Sequence, residues 1–280
     1  MHAIMKISAG PLSPFNQFFD MITSAIEFHE QQHQRHSQAK NSHKILLKIL
    51  SAVTDFDGGK SDPSKYMSEQ ELKAQLAMFF LSGYETTGIS MNFMAIILSQ
   101  HQHVQDKLIE EVNSFEDDQI TYDTLMYEMP YLDCVLKELL RLYPVAINAV
   151  NRVVNGDNID ISGYTIDKQV SKVLINVWAI HRSTEIWGEN ANEFYPERFL
   201  ECDERKSSSN YLAFGLGPHS CLGKIMSLFE IKFVIASILR RFRILPKDEN
   251  EIFNEIPVNV GIVLTPKNPV KLRFIPHRSK

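Results

Sequence analysis

From Phe214 to Gly223 the chain reads Phe-Gly-Leu-Gly-Pro-His-Ser-Cys-Leu-Gly and runs directly into a helical pattern from Leu222 to about Phe242. Gly217 and Gly223 lack a Cβ, so the turn can be tight and lie close against a flat object. The first N–H groups of a helix have no intrahelical partner and carry the positive end of its dipole. A cysteine beside them is favoured as thiolate, the form that serves as nucleophile or metal ligand. Phe214 supplies an apolar shield for the sulfur. Cys221 has no partner cysteine or histidine at zinc-site spacing, so the loop suits a single bond to a metal better than a four-ligand zinc cage. Taken alone, a lone cysteine beside a turn is most often buried and inert. Other segments must decide.

The loop resembles the haem-binding loop of the cytochrome P450 superfamily, the haem-thiolate monooxygenases, whose pattern is Phe-x-x-Gly-x-Arg-x-Cys-x-Gly. The resemblance implies haem b as cofactor and Cys221 as the axial ligand of its iron, seated among Phe214, Gly217, His219 and Gly223. His219 stands where the family most often has an arginine that contacts a haem propionate. A histidine still donates a hydrogen bond but is charged only when protonated, so weaker anchoring is expected. Arg152 falls where the family often has a second propionate-binding arginine. The stretch Val145–Asn151 before it is one residue longer than in many relatives.

Three further motifs follow in the family's order. Ser82-Gly83-Tyr84-Glu85-Thr86-Thr87 lies inside an apolar segment, Ser68 to Gln100, that reads as a mostly buried helix opened by a capping box of Ser68 and Glu71. Polar groups are costly there: Gly83 costs about 1 kcal/mol against alanine, and a buried carboxylate needs a partner. Threonine hydroxyls can bond back one turn and bend the helix. By itself the stretch is also readable as an ordinary polar notch in a helix. The resemblance makes it the family's oxygen-activating kink, with Glu85 and Thr86 as the acid–alcohol pair that manages proton delivery to dioxygen.

Glu138-Leu139-Leu140-Arg141 sits on a helical pattern from Tyr131 to Leu142 that Pro144 terminates. Acid and base three apart share a helix face, and on an exposed helix such a pair means little. Phe194-Tyr195-Pro196-Glu197-Arg198-Phe199 follows, where Arg198 alone reads as a loop charge. The resemblance joins Glu138, Arg141 and Arg198 into the family's structural network, which fixes the core that holds the cysteine loop. Guanidinium groups suit bidentate pairing with a carboxylate. Ala179-Ile180-His181-Arg182 also follows the family, with Ser183-Thr184 in place of its usual Asp-Pro and still able to cap a short helix. Val258–Leu264 resembles the C-terminal hairpin whose tip touches substrate.

Composition sets the bounds. A chain of 280 residues that is 44% hydrophobic can bury a substantial core. Three cysteines, Cys134, Cys202 and Cys221, argue against a disulfide framework. A net charge of −5 gives no nucleic-acid footprint. No apolar run reaches the length of a membrane span, and the first residues lack a signal-peptide pattern.

The expected architecture is mainly α with small β-sheets, the C-terminal half of the cytochrome P450 fold, as one incomplete domain over residues 1–280. Expected helices are Pro14–Ala52 (one or two), Ser68–Gln100, Val104–Phe115, Tyr122–Met126, Tyr131–Leu142 and the one after Cys221. β-like segments are Val153–Ile161, Tyr164–Ile166 and Val170–Val177, followed by a final strand pair near Val258–Thr265 and Val270–Ile275. The resemblance implies a microsomal-type monooxygenase on the cytosolic face of the endoplasmic reticulum, fed with electrons from NADPH by a flavoprotein reductase. Phe79, Phe80, Ala146, Ile147, Val260 and Ile262 are pocket candidates for a lipophilic small molecule.

Two rival readings stand beside this one. The family's domain is nearly twice as long, so the chain is also readable as an inactive fragment unable to hold haem, with membrane attachment expected only for a full-length form. His29-Glu30-Gln31-Gln32-His33 matches the zinc-peptidase pattern, with Glu30 as general base and His36 one turn on. Its polar flanks disfavour that assignment.

Overall fold

A computed structural model of the chain describes residues 69–148, 150–153, 158–167, 172–200, 209–248 and 255–277. The segment carrying His29, Glu30, His33 and His36 lies outside the described residues, as do Ser68 of the expected capping box and Cys202. The chain divides into two compact units, Met1–Tyr84 and Glu85–Lys280. Of the first, the described part is the opening half of helix α1 (Glu69–Gln100).

The second unit is built on four helices. Helix α1 contributes Phe93, Met94, Ile97 and Leu98 to its core. Helix α2 (Gln102–Asn113) places Val104, Leu108 and Val112 at four-residue spacing on one buried face, with Asp106, Lys107 and Glu110 exposed opposite. Helix α3 (Pro130–Leu142) starts with a proline at its first position, where no backbone donor is missed. Its next two donors are capped from α2: Tyr131 N and Leu132 N donate to the Glu111 carboxylate at 2.7 and 2.8 Å. Burial nonetheless pushes the Glu111 carboxyl above its ordinary pKa. Helix α3 is buried on several faces, and Leu132, Leu136 and Leu139 meet Ile231, Ile235 and Leu239 of helix α6 (Lys224–Leu239) in one core. Lys232 of α6, fully buried, pairs with Asp133 of α3 at 2.9 Å. Burial opposes the charged form of Asp133, but Lys137 and Lys232 outweigh it and hold its pKa below the usual range.

Sheets are small and two-stranded throughout the described residues, and all are antiparallel. Strand β1 (Asn151–Arg152) pairs with β4 (Val173–Leu174), and β2 (Ile159–Ile161) with β3 (Tyr164–Ile166). Strand β5 (Phe242–Pro246) pairs with β8 (Leu272–Pro276), and β6 (Val258–Val260) with β7 (Leu264–Pro266). The result is mainly α with small sheets.

Several expected boundaries are corrected. Among the described residues of Val170–Val177, strand covers Val173–Leu174 and ends there, because Asn176 caps helix α4 (Val177–His181) by accepting from Ala179 N at 3.0 Å. The helix after Cys221 stops at Leu239 rather than Phe242. Phe242 opens β5, which is fastened to α2 by a fully buried Gln105: its amide donates to Ile244 O at 2.9 Å and accepts from Ile244 N at 2.7 Å. The last two apolar segments do not pair with each other. Gly261 turns the chain between β6 and β7, so that segment is itself a hairpin, and Leu272–Pro276 joins β5 instead. The expected short helix at Tyr122–Met126 is present and runs two residues further, with π-helical geometry over Thr124–Glu128. It ends at Met129, which the following proline holds out of the α region. Ser183 occupies the cap position of helix α5 (Thr184–Trp187), but its hydroxyl makes no capping bond.

Candidate functional site

The cysteine loop leaves the core at Leu212 and re-enters helix at Lys224. Gly215 N donates to Leu212 O at 3.0 Å, Ser220 N to Gly217 O at 3.0 Å and Cys221 N to Phe214 O at 2.8 Å, so the loop closes on its own backbone. Gly215 (φ 68°) and Gly217 (φ 75°) adopt left-handed geometry that residues with a Cβ resist. Gly217, Pro218 and His219 form a 3-10 turn, and Gly223 is the N-cap of α6, two residues after Cys221. A Cβ on Gly223 would stand 3.9 Å from the Cys221 sulfur. Phe214 is half-buried, whereas Gly217, His219, Cys221 and Gly223 are exposed. Leu216 and Leu222 of the same loop are 42% and 88% exposed and present apolar surface.

Arg152 on β1 reaches this loop. Its guanidinium donates to Asn151 O at 2.7 Å and to Leu216 O at 3.1 Å. Its side chain is exposed, so it stands at the edge of the same open face.

A buried ionic cluster joins helix α3 to the segment around Arg198. Glu138 and Arg141 of α3 are fully buried, and Arg198 of the 3-10 turn Pro196–Phe199 is 3% exposed. Arg141 Nε and Nη2 donate to the two Glu138 oxygens at 2.7 and 2.8 Å. Arg198 Nε and Tyr195 N add bonds to Glu138 Oε1 at 2.9 Å each. Two guanidiniums thus share the Glu138 carboxylate. Backbone carbonyls of His181 and Ala191 receive Arg141, while those of Trp187 and Asn190 receive Arg198.

Helix α1 runs as one α-helical element through Ser82–Thr87. Glu85 is exposed rather than buried, so the expected cost of an internal carboxylate does not arise. Thr86 is half-buried, and its carbonyl accepts from Ser90 Oγ at 2.9 Å.

The cytochrome P450 family profile matches residues 13–274 of the chain. The chain belongs to the cytochrome P450 family. It is similar to Cytochrome P450 3A27 of Oncorhynchus mykiss, with 39% identity over 223 residues, 78% of this chain and 41% of that relative. Cytochrome P450 3A12 of Canis lupus familiaris is 35% identical over 248 residues, 86% of this chain and 48% of its own length. Cytochrome P450 3A28 of Bos taurus is 33% identical over 280 residues, 95% and 54% respectively. The chain thus spans about half the length of the curated relatives it matches.

In this P450 chain, the turn after α3 and the β6–β7 hairpin come together. Leu264 N donates to Val145 O at 2.8 Å and Asn148 Nδ2 to Gly261 O at 3.4 Å. Half-buried Ala146 and Ile147 therefore neighbour a hairpin whose Val260 and Ile262 are 64% and 94% exposed. Phe79 and Phe80 are exposed in the described part of the first unit. Among the described residues no group of side chains could hold a metal cage, and no helix is long and apolar enough to cross a membrane.

Sequence reasoning missed His181 as a bridge. Its Nδ1 lies 2.9 Å from Arg141 O, and its Nε2 accepts from Leu212 N at 2.8 Å. The available signal was its place in the Ala-Ile-His-Arg stretch, which was read only for its likeness to the family.

Proposed function

We propose that the chain carries the thiolate side of a haem-dependent monooxygenase. The observation that supports it most is the loop itself. An exposed sulfur sits on a turn closed by Cys221 N and Phe214 O, kept low by glycines, in a loop that also exposes Leu216 and Leu222. That arrangement suits a flat apolar group carrying one metal, so the residues present fit a haem. Cys221 would hold the iron of haem b through its sulfur. Phe214, Gly217 and Gly223 would line its seat, and His219 and Arg152 would offer donors to its carboxylates. When bound, the haem supplies dioxygen activation, one oxygen atom going to substrate and the other to water.

The chain's own residues would then do three things. The anionic sulfur of Cys221 would raise electron density at the metal. Thr86 Oγ1 and the Glu85 carboxylate would hold and pass protons, a role that needs an alcohol and an acid adjacent on one helix. Glu138, Arg141 and Arg198 would keep the core that holds the loop rigid. The substrate reading is a lipophilic small molecule, because Ala146, Ile147, Val260 and Ile262 gather beside one another. Electrons would come from NADPH through a flavoprotein reductase, and the expected setting is the endoplasmic reticulum, as for microsomal members of the family.

Thr86→Ala tests the proton role. In the chain completed to the length of its relatives, haem content should stay near that of the wild type. NADPH consumption should continue with peroxide released and product per NADPH falling about tenfold or more. An unchanged product-to-NADPH ratio removes Thr86 from proton delivery, whereas a purely structural residue would change stability alone.

One observation favours a second reading for the chain by itself. Leu222, Ile225, Met226 and Phe233 are 88%, 61%, 59% and 47% exposed along α6 and the residues before it. Contiguous apolar surface of this kind marks an interface. The isolated 280-residue chain is expected to aggregate or to carry sub-stoichiometric haem on size-exclusion chromatography. A soluble monomer with one haem and a thiolate spectrum would show that this half of the fold is self-sufficient.

A further inference from the structure

We propose that His181 is a positioning residue for the Cys221 loop, its neutral imidazole pinning the chain that enters the loop to the end of helix α3. The ring sits at the end of α4 and is fully buried. Arg141 O can only accept, so the proton on Nδ1, 2.9 Å away, is required. Leu212 N–H can only donate, so Nε2, 2.8 Å away, must keep its lone pair. The two neighbours together select one neutral tautomer. A second proton would set two donors against each other.

The bridge joins two parts of the site. On one side is Arg141, whose guanidinium is held by Glu138 and whose Nη1 donates to the carbonyl of His181 itself. On the other is Leu212, whose carbonyl accepts from Gly215 N at 3.0 Å and so closes the first turn of the cysteine loop. Tyr211 stacks on the imidazole at 5.6 Å and 11°, and Trp187 meets it edge-on at 6.4 Å. The ring is thus fixed in plane as well as in tautomer.

The charges around the ring act in one direction. Arg141 from α3 and Arg182 from its own element are cations. Glu138 lies beyond Arg141 and is already shared with it and Arg198. Tyr211 is neutral, since burial pushes its hydroxyl pKa up. Burial first, then the two arginines, pushes the His181 pKa down to about 4, against the bond to Arg141 O. The folded state therefore resists a proton that the unfolded state accepts near pH 6.5. The clamp's stabilisation is full above about pH 6.5 and is lost progressively as pH falls towards 4.

This inference rests on the reading of Cys221 as the haem ligand only for its consequence, so its test reads the polypeptide. In the chain completed to the length of its relatives, nitrogen-15 spectra should show the Nδ1–H tautomer of His181 at pH 5.5, where an ordinary histidine is about nine-tenths charged. Exchange of the Leu212 and Cys221 amides, corrected for intrinsic rate, should be slow at pH 7. It should quicken at least tenfold in His181→Phe, which keeps the ring stack and loses both bonds. His181→Gln, with one donor and one acceptor, should recover part of the protection. Amides of Leu136 and Ile235 should be unaffected in both. Titration of His181 near 6.5, or Leu212 and Cys221 protection in His181→Phe equal to the wild type, would overturn the inference. A His181→Phe chain that fails to fold leaves the wild-type titration to decide. Failure of the haem reading is separate: a Cys221→Ser chain that kept a thiolate spectrum would overturn that reading and leave the amide protection at Leu212 unchanged.

Discussion

Cys221→Ser is expected to abolish thiolate-type haem ligation and oxygenase activity in the chain completed to the length of its relatives. The substitution keeps the shape of the side chain and the turn geometry, because Cys221 N still donates to Phe214 O and Gly223 still leaves room beside the side chain. It changes the donor atom from sulfur to an alcohol oxygen. The reduced carbon monoxide difference spectrum reads the axial donor directly. Cys134→Ser is the matched control: burial first, then Asp133, pushes the Cys134 thiol up to about 11, and it lies buried within α3. That change is expected to lower stability and leave the spectrum thiolate-like; Cys202→Ser is likewise expected to leave the spectrum thiolate-like. A thiolate spectrum surviving in Cys221→Ser would remove Cys221 from the metal.

What could be read from sequence and what could not divides along a physical line. Helices α1, α2 and α3 were legible because one or more faces carry apolar residues at helical spacing, as Val104, Leu108 and Val112 do. Proline fixed the start of α3 and stopped it at Tyr143. The β5–β8 pair was not legible. Phe242–Pro246 continues the apolar run of α6, and its strand state depends on Gln105, distant in sequence, satisfying both polar groups of Ile244. Local pattern cannot report a bond made across 139 positions.

The site shows the same division. Cys221 and its glycines are contiguous, so their turn was readable. The Glu138, Arg141 and Arg198 cluster depends on a carboxylate and two guanidiniums from separate segments, and it came only with the resemblance. His181 needed the carbonyl of Arg141 and the amide of Leu212 in one place, which spacing does not predict. Glu85 was expected in the interior and lies exposed. Apolar content located its helix without saying which face of that stretch would find neighbours.

Glu138→Gln is expected to cost the chain about 3–5 kcal/mol, the range for removing one partner of a buried ion pair. The amide is the same size as the carboxylate and keeps an oxygen, so packing is nearly unchanged. The charge is what is lost. Arg141 and Arg198, 0% and 3% exposed, would then lose the carboxylate that both of them bond. Lys107→Met provides the contrast. Lys107 Nζ meets Glu197 Oε1 at 2.6 Å, slightly closer than any bond to Glu138, yet its side chain is 52% exposed. Water and salt already screen that pair, and its loss should cost less than about 1 kcal/mol. Burial, not distance, separates the two results. Against a typical stability of about 5–15 kcal/mol, Glu138→Gln should shift the urea midpoint far to lower denaturant at unchanged slope, while Lys107→Met barely moves it. Equal midpoints for the two variants would mean that the other partners of Arg141 and Arg198, the backbone carbonyls of His181, Ala191, Trp187, Asn190 and Glu193 among them, suffice to hold both guanidiniums without the Glu138 charge.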